Sequence, residues 1–292
     1  MFVIMWGVHD ELALVHVVRQ AAWATSTYGS TAVRVALRGN RISLGGHEEG
    51  LVFVVGSPRS GTTFVGESLG SQPGFVDLGE VPLLKAAVAE LASLPEVEQG
   101  RRVRRILERV RRLGFVRRLR GVEQTPEMSY VVAGALQAYP AAKAVHVIRD
   151  GRDVVCSLLE RGWLSANRGG GDDANQPYGA YPRFWVEPER REEFPQVSDA
   201  RRAAWAWRRY LTAAQAVPER TLELRYEELV ADPASTADRV AAELGTAPGP
   251  LQSAFSGAHA TSVGRWRRDL SAQQLADVEA EAGDLLAELG YG

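Results

Sequence analysis

Residues 56–63 read Gly-Ser-Pro-Arg-Ser-Gly-Thr-Thr and place two loop-forming glycines, one cation and four hydroxyls within eight positions. Such a segment suits an anion. Gly56 and Gly61 frame four residues whose backbone N–H groups can turn inward, and a helix opening behind them brings its positive end onto the same group. Thr62 stands where a nucleoside-triphosphate loop carries a lysine, and the cation lies instead inside the loop, as Arg59. A loop so built fits one phosphoryl or sulfuryl group better than a magnesium triphosphate. An ordinary surface turn could share this composition, but the apolar run before it and the helical pattern after it argue for strand, loop and helix. A second basic turn, Arg149-Asp150-Gly151-Arg152-Asp153, also follows an apolar run and precedes a helical one.

These groups need a scaffold. Residues 51–55 are a continuous apolar run of buried-strand type, residues 144–148 form a second such run broken only by His146, and 221–225 reads as a third strand. Helical periodicity is expected from Thr62, over 81–94, over 154–159 and over 199–216. Residues 101–120 hold ten arginines, with Val103, Ile106, Leu107, Val110 and Leu113 at helical spacing, which predicts a helix with one apolar face and a basic remainder. Thr125-Pro126 predicts a helix to about Tyr139 with Thr125 as its cap, and Asp232-Pro233 predicts a capped helix through Leu244. The alternation implies an α/β fold: a single P-loop-like domain over 51–292, with a central, mainly parallel sheet flanked by helices. Ligands of such sheets sit at the carboxyl ends of the strands, where the loops at 56–61 and 149–153 both fall. Residues 1–50 form an N-terminal extension to which no chemistry is assigned. Residues 162–198, rich in Gly, Pro and aromatic side chains, read as a lid or acceptor-side loop.

A net charge of −2 on 292 residues gives no global pull toward nucleic acid or an anionic membrane, so anion binding must be local. The lone Cys156 excludes an internal disulfide framework and a cysteine zinc site. No metal site is expected: Asp150 ends a strand but stands between Arg149 and Arg152, and His146 reads as a core residue. The N-terminus lacks a basic region and a long apolar stretch, so the expectation is a cytoplasmic protein.

The two loops together resemble the sulfotransferase family that uses 3′-phosphoadenosine 5′-phosphosulfate (PAPS), in its bacterial and protein-tyrosine branches. Ser-Pro-Arg-Ser-Gly-Thr-Thr-Phe is similar to that family's 5′-phosphosulfate loop, which implies that Arg59, Ser60, Gly61, Thr62 and Thr63 hold the phosphosulfate and that Phe64 lies by the adenine. The stretch 144–157 resembles the 3′-phosphate motif, which implies Arg149 and Ser157 as phosphate ligands. An arginine offers a two-pronged fork to a phosphate, and eight residues bring a hydroxyl two helical turns inward. Leu-Arg-Tyr-Glu-Glu-Leu resembles the adenine-side strand, making Tyr226 an adenine contact, and the segment 261–266 resembles the terminal cofactor loop, adding Ser262 and Arg265, with Arg267 beside them.

The resemblance implies a bacterial enzyme whose acceptor is a small molecule such as a secondary metabolite, working without metal and releasing 3′,5′-adenosine bisphosphate (PAP), as a monomer or homodimer. Gly79-Glu80 is similar to the Gly-Glu that supplies the base in those branches, so Glu80 is the candidate base and Arg59 the candidate stabiliser of the leaving phosphate; Glu80 could equally cap the helix near Pro82. Many relatives carry a lysine in a Glu-Lys-Thr-Pro run, and here the run is Glu123-Gln124-Thr125-Pro126. Two other readings are open at this point. A P-loop small-molecule kinase would need the missing lysine and a carboxylate for magnesium. A polyanion-binding protein would act through the arginines of 101–120.

Overall fold

The computed structural model describes residues 29, 50–113, 119–164 and 186–292. The N-terminal extension, apart from Gly29 and Gly50, and the 165–185 part of the lid or acceptor-side loop lie outside the described residues.

Five strands form one sheet in the order β2-β3-β1-β4-β5, and every pairing is parallel. The strands are β1 (Val52–Val55), β2 (Phe75–Gly79), β3 (Arg120–Glu123), β4 (Lys143–Ile148) and β5 (Thr221–Arg225). β1 is buried along its whole length because both faces of a parallel sheet are covered, which is why its sequence is an unbroken apolar run. Its alternation still directs the packing. Leu51, Phe53 and Val55 face one layer, where helices α2 (Pro82–Leu91), α3 (Glu96–Leu113) and α4 (Val132–Ala138) lie. Val52 and Val54 face the other, built from α1 (Thr62–Gly70), α8 (Pro233–Leu244) and α9 (Pro248–Phe255). A third apolar cluster joins α5 (Gly151–Arg161), α6 (Asp199–Ala214) and α11 (Ala272–Glu288), with Trp205 and Trp207 fully buried in it. Two short helices, α7 (Tyr226–Ala231) and α10 (Trp266–Asp269), follow β5 and the terminal cofactor loop.

Strands β2 and β3 were not expected from the sequence, and two expected elements differ. The basic helix α3 ends at Leu113, and Arg120 opens β3, where its guanidinium donates to the carbonyl of Gly50 at 3.2 Å. The segment after Thr125 begins as a 3₁₀ turn (Pro126–Val131) before α4. Thr125 does not cap it, because its Oγ1 accepts from the N–H of Val81 at 2.8 Å and so ties the end of β3 to the end of β2. Asp232 does cap α8, accepting from the N–H of Ser235 at 3.0 Å.

Candidate active site

The loop at 56–61 leaves β1 and is held from below. The N–H of Gly56 donates to Ser129 Oγ at 3.1 Å, and that hydroxyl donates to the carbonyl of Pro126 at 2.8 Å. Gly61 forms the cap of α1 at φ 100°, and a Cβ there would lie 2.6 Å from Tyr226 Cδ2, so the position demands glycine on both counts. Arg59 adopts φ 71°, a left-handed conformation that a non-glycine residue holds only when its surroundings enforce it. The first intrahelical bond runs from the N–H of Val65 to the carbonyl of Gly61 at 3.1 Å. The N–H groups of Thr62, Thr63 and Phe64 therefore belong to the open first turn, aimed toward the loop. Ser60 is fully buried, and its Oγ has no hydrogen-bond partner among the described residues.

The second turn meets the first. Arg149, at the end of β4, donates from Nη1 to the carbonyl of Arg59 at 3.4 Å and from Nη2 to the carbonyl of Ser262. Its guanidinium carbon lies 4.9 Å from the centre of the Tyr226 ring, the ring that also covers Gly61. Arg59 Nε in turn donates to Ser157 Oγ at 2.9 Å. Arg59, Ser60, Arg149 and Ser157 are thus gathered around one place at the carboxyl end of the sheet, and Tyr226 lies between the two loops. Arg149 Nε is a buried polar atom without a partner among the described residues. A buried N–H and a buried hydroxyl beside a left-handed loop and a helix N-terminus fit an anionic ligand, which would complete their hydrogen bonds.

Further residues brace this arrangement. Trp207 Nε1 donates to the carbonyl of Arg149 at 3.1 Å, and the indole fills the space where a Cβ at Gly151 would fall. Asp150 caps α5 by accepting from the N–H of Arg152 at 2.9 Å, while its own N–H donates to Glu227 at 2.9 Å. Asp153 accepts from the N–H groups of Gly264 (2.7 Å) and Trp266 (3.0 Å), which seats the terminal cofactor loop on α5. Burial raises the Asp153 carboxyl above the ordinary aspartate range against the pull of those two N–H groups. Spacing in the sequence carried no sign of Trp207, Ser129 or Asp153. Each acts on a partner more than 50 residues away in the chain.

The other expected contacts divide. Thr62 is buried and Thr63 exposed at the mouth of the loop, and Phe64 packs its ring 6.3 Å from that of Phe255. Tyr226 is 6 % exposed and donates from its hydroxyl to the carbonyl of His259 at 3.3 Å. Ser262 meets Arg149 through its carbonyl. Arg265 is committed elsewhere: its guanidinium binds Asp269 at 2.7 Å and both oxygens of Glu160. Those carboxylates push its pKa further up. Arg267 lies over the Trp266 ring at 4.4 Å. His146 is fully buried, and burial pushes it down to about 4, so it is a neutral core residue as its sequence position suggested.

Glu80 follows β2 at the same carboxyl end of the sheet. It does not cap α2, whose cap residue is Val81. Its Oε2 lies 3.1 Å from Lys85 Nζ, and Lys85 Nζ lies 3.9 Å from Glu127 Oε1. Glu123, fully buried beside them, accepts from the N–H of Thr125 at 2.9 Å. Burial pushes its carboxyl up to about 8, with Glu80 and Glu127 adding to the rise and Thr125 opposing it, so at neutral pH it carries a proton. Gln124 turns away from this group. With its amide nitrogen placed toward α1, the orientation its neighbours require, it donates to the carbonyls of Thr62 and Thr63 at 3.1 Å each, and it packs on Gly66 of α1.

Among the described residues no helix is long and apolar enough to cross a membrane, and no group of three or more His, Cys, Asp or Glu side chains could hold a metal ion. Two solved structures share the fold. One is the sulfotransferase domain from the curacin biosynthetic pathway, 14 % identical, with a TM-score of 0.51, covering 81 % of this chain and 97 % of that one. The other is the sulfotransferase STF9 from Mycobacterium avium, 13 % identical, with a TM-score of 0.50, covering 92 % of this chain and 84 % of that one. No curated protein matches the chain in sequence. The model of the sulfotransferase family matches residues 52–248, which takes in β1, the Arg59 loop, Glu80, the Arg149 turn and Tyr226. The chain belongs to the sulfotransferase family.

Proposed function

We propose that this sulfotransferase takes its sulfuryl group from PAPS and passes it to a hydroxyl or amine of a small-molecule acceptor in the bacterial cytoplasm, as a monomer or homodimer. The observation that carries the donor assignment is the meeting of the two basic turns. A donor with phosphate at both ends of one nucleoside needs two anion sites a few ångströms apart, and Arg59 and Arg149 belong to turns joined by the Arg59–Ser157 and Arg149–Arg59 bonds. The residues fit such a molecule: Ser60 Oγ and Arg149 Nε are buried donors without partners among the described residues.

Bound there, the donor supplies an activated sulfuryl group on a phosphate leaving group. The work of the chain is positional and electrostatic. Arg59, the first-turn N–H groups of α1 and the hydroxyls of Thr62 and Thr63 would offset the charge that grows on the departing phosphate. Arg149 and Ser157 would hold the far phosphate and fix the direction of attack. Glu80, with its side chain 25 % exposed, is open enough to meet an acceptor and would take the acceptor's proton. Trp163, whose ring faces the Arg59 guanidinium at 5.8 Å, supports an acceptor that is partly aromatic or apolar, as secondary metabolites are.

The test is transfer of label from ³⁵S-PAPS across a panel of phenols, alcohols and amines, with Glu80→Gln alongside. The proposal expects labelled product with at least one acceptor class and a fall of about 100-fold or more in Glu80→Gln, the usual scale of a lost general base. Full activity in that variant would remove Glu80 as the base.

A further inference from the structure

The run Glu123-Gln124-Thr125-Pro126 brings no cation to this end of the sheet, and the Gln124 amide faces the backbone of α1. One buried ammonium nevertheless stands at the same end of the sheet. Lys85 has a side chain only 4 % exposed, in the first turn of α2. We propose that Lys85 is a positioning residue for Glu80: its ammonium holds the Glu80 carboxylate ionised and fixes one of its oxygens, leaving the group oriented to accept a proton. The proposal rests on the reading of Glu80 as the base.

The geometry supports both halves of that role. An ammonium so buried keeps its charge only with carboxylate partners, and the partners are Glu80 Oε2 at 3.1 Å and Glu127 Oε1 at 3.9 Å. Both groups stand on fixed backbone. The N–H of Val81, next to Glu80, is held by Thr125 Oγ1 at 2.8 Å, and the N–H of Lys85 donates to the carbonyl of Val81 at 3.0 Å. Among the described residues, the titratable groups facing the pair come from β3, the 3₁₀ turn and α6. Glu123 faces it from β3, protonated at neutral pH because burial pushes it up to about 8. Glu127 faces it from the 3₁₀ turn, and Tyr210 of α6 donates to Glu127 at 3.4 Å, with Tyr130 edge-on to Tyr210 at 5.0 Å. Lys85 Nζ therefore lies between the carboxyl groups of Glu80 and Glu127. Removing it leaves like charges facing one another, a condition that drives a proton onto one of them.

The pairing also gives a reason for the five-residue spacing. Glu80 precedes the helix and Lys85 lies one turn into it, so the ammonium reaches back over the helix start to the strand end. The usual helical spacings of three and four would put a partner on the helix itself.

The experiment is ¹³C NMR on protein labelled at glutamate Cδ, with Glu80 assigned through Glu80→Gln, in wild type and in Lys85→Gln, Lys85→Met and Lys85→Arg. The expected result is a Glu80 titration midpoint at least about one pH unit higher in the two neutral variants, and within about 0.3 unit of wild type in Lys85→Arg. An unmoved midpoint in either neutral variant that folds overturns the proposal. A second measurement needs no change at Lys85. The chain has two lysines, Lys85 and Lys143, so a ζ-¹⁵N-lysine spectrum holds two side-chain signals. Glu80→Gln should move the Lys85 signal and leave that of Lys143, which pairs with Glu243 at 2.7 Å, in place; a stationary Lys85 signal overturns the proposal. The two readings fail separately. A Glu80→Gln enzyme that transfers label at the wild-type rate refutes the base, whatever the midpoint does, whereas an inactive Glu80→Gln with an unmoved midpoint refutes the part given to Lys85.

Discussion

Replacing Glu123 by glutamine should make the protein more stable at neutral pH and above, and its stability relative to wild type should grow with pH. Glu123 is fully buried, and its carboxyl is pushed from an ordinary 4.5 to about 8, mainly by loss of water. The sign follows from proton binding. Below pH 4.5 the proton is on the group in both states; between about 4.5 and 8 only the unfolded chain releases it, so stability falls as pH rises; above 8 both states are ionised. The slope is about 1.4 kcal/mol for each pH unit, and the whole interval amounts to about 5 kcal/mol. Wild type alone would hide part of this. His146 is pushed from 6.5 down to about 4, and its contribution is lost as pH falls through that window, an opposite slope that offsets Glu123 over the acidic half of the range. The difference between Glu123→Gln and wild type isolates the carboxyl, because His146 is common to both. Glutamine keeps an acceptor for the N–H of Thr125, and its extra buried N–H subtracts a constant of about 1 to 3 kcal/mol that does not depend on pH. Urea unfolding followed by tryptophan fluorescence at pH 5, 6, 7 and 8 should therefore give a difference that rises by about 4 kcal/mol across the series. A difference that is flat with pH would refute a protonated Glu123 and, with it, the charge balance drawn around Lys85.

Two further substitutions probe the supports of the site. Gly61→Ala puts a Cβ 2.6 Å from the Tyr226 ring at φ 100°, and should cost about 2 kcal/mol of stability in urea unfolding and weaken PAP binding more than tenfold; unchanged affinity would show that the loop does not hold the ligand. Glu281→Gln breaks a carboxylate that is 1 % exposed and bound to Arg190 at 2.9 Å, Arg208 at 3.0 Å and Arg201 at 3.2 Å, and should cost about 3 kcal/mol; a loss below about 0.5 kcal/mol would refute a buried, mutually dependent cluster joining α6 and α11.

How far the sequence could be read depended on how local each signal is. β1 and β4 announce themselves because a strand buried on both faces is mostly apolar, unbroken in β1 and interrupted only by His146 after Lys143 in β4, and the basic loops follow directly from those runs. β2, Phe-Val-Asp-Leu-Gly, and β3, Arg-Gly-Val-Glu, do not, since each is short and carries an acid and a glycine that argue against a strand. Asp77 and Glu123 are tolerated there because Asp77 accepts from the N–H of Gly79 at 2.7 Å and Glu123 from that of Thr125. Thr125 misled for a related reason. Its side chain satisfies a donor on another strand, where a sequence shows only the helix that follows. Arg59, Arg149 and Ser157 were expected to act together through a family resemblance, and what brings them together in space is the β1–β4 pairing. The commitment of Arg265 to Glu160 and of Gln124 to α1 rests on contacts 105 and about 60 residues apart in the chain, which no local pattern encodes.

The central claim is that one bisphosphorylated adenosine spans the Arg59 loop and the Arg149 turn. Isothermal titration of PAP into wild type, Arg59→Ala and Arg149→Ala measures this directly. The account predicts one site per chain in wild type and at least tenfold weaker binding in each variant, since each loses a charge-assisted contact worth about 1.5 to 3 kcal/mol. Binding in both variants as tight as in wild type would contradict it.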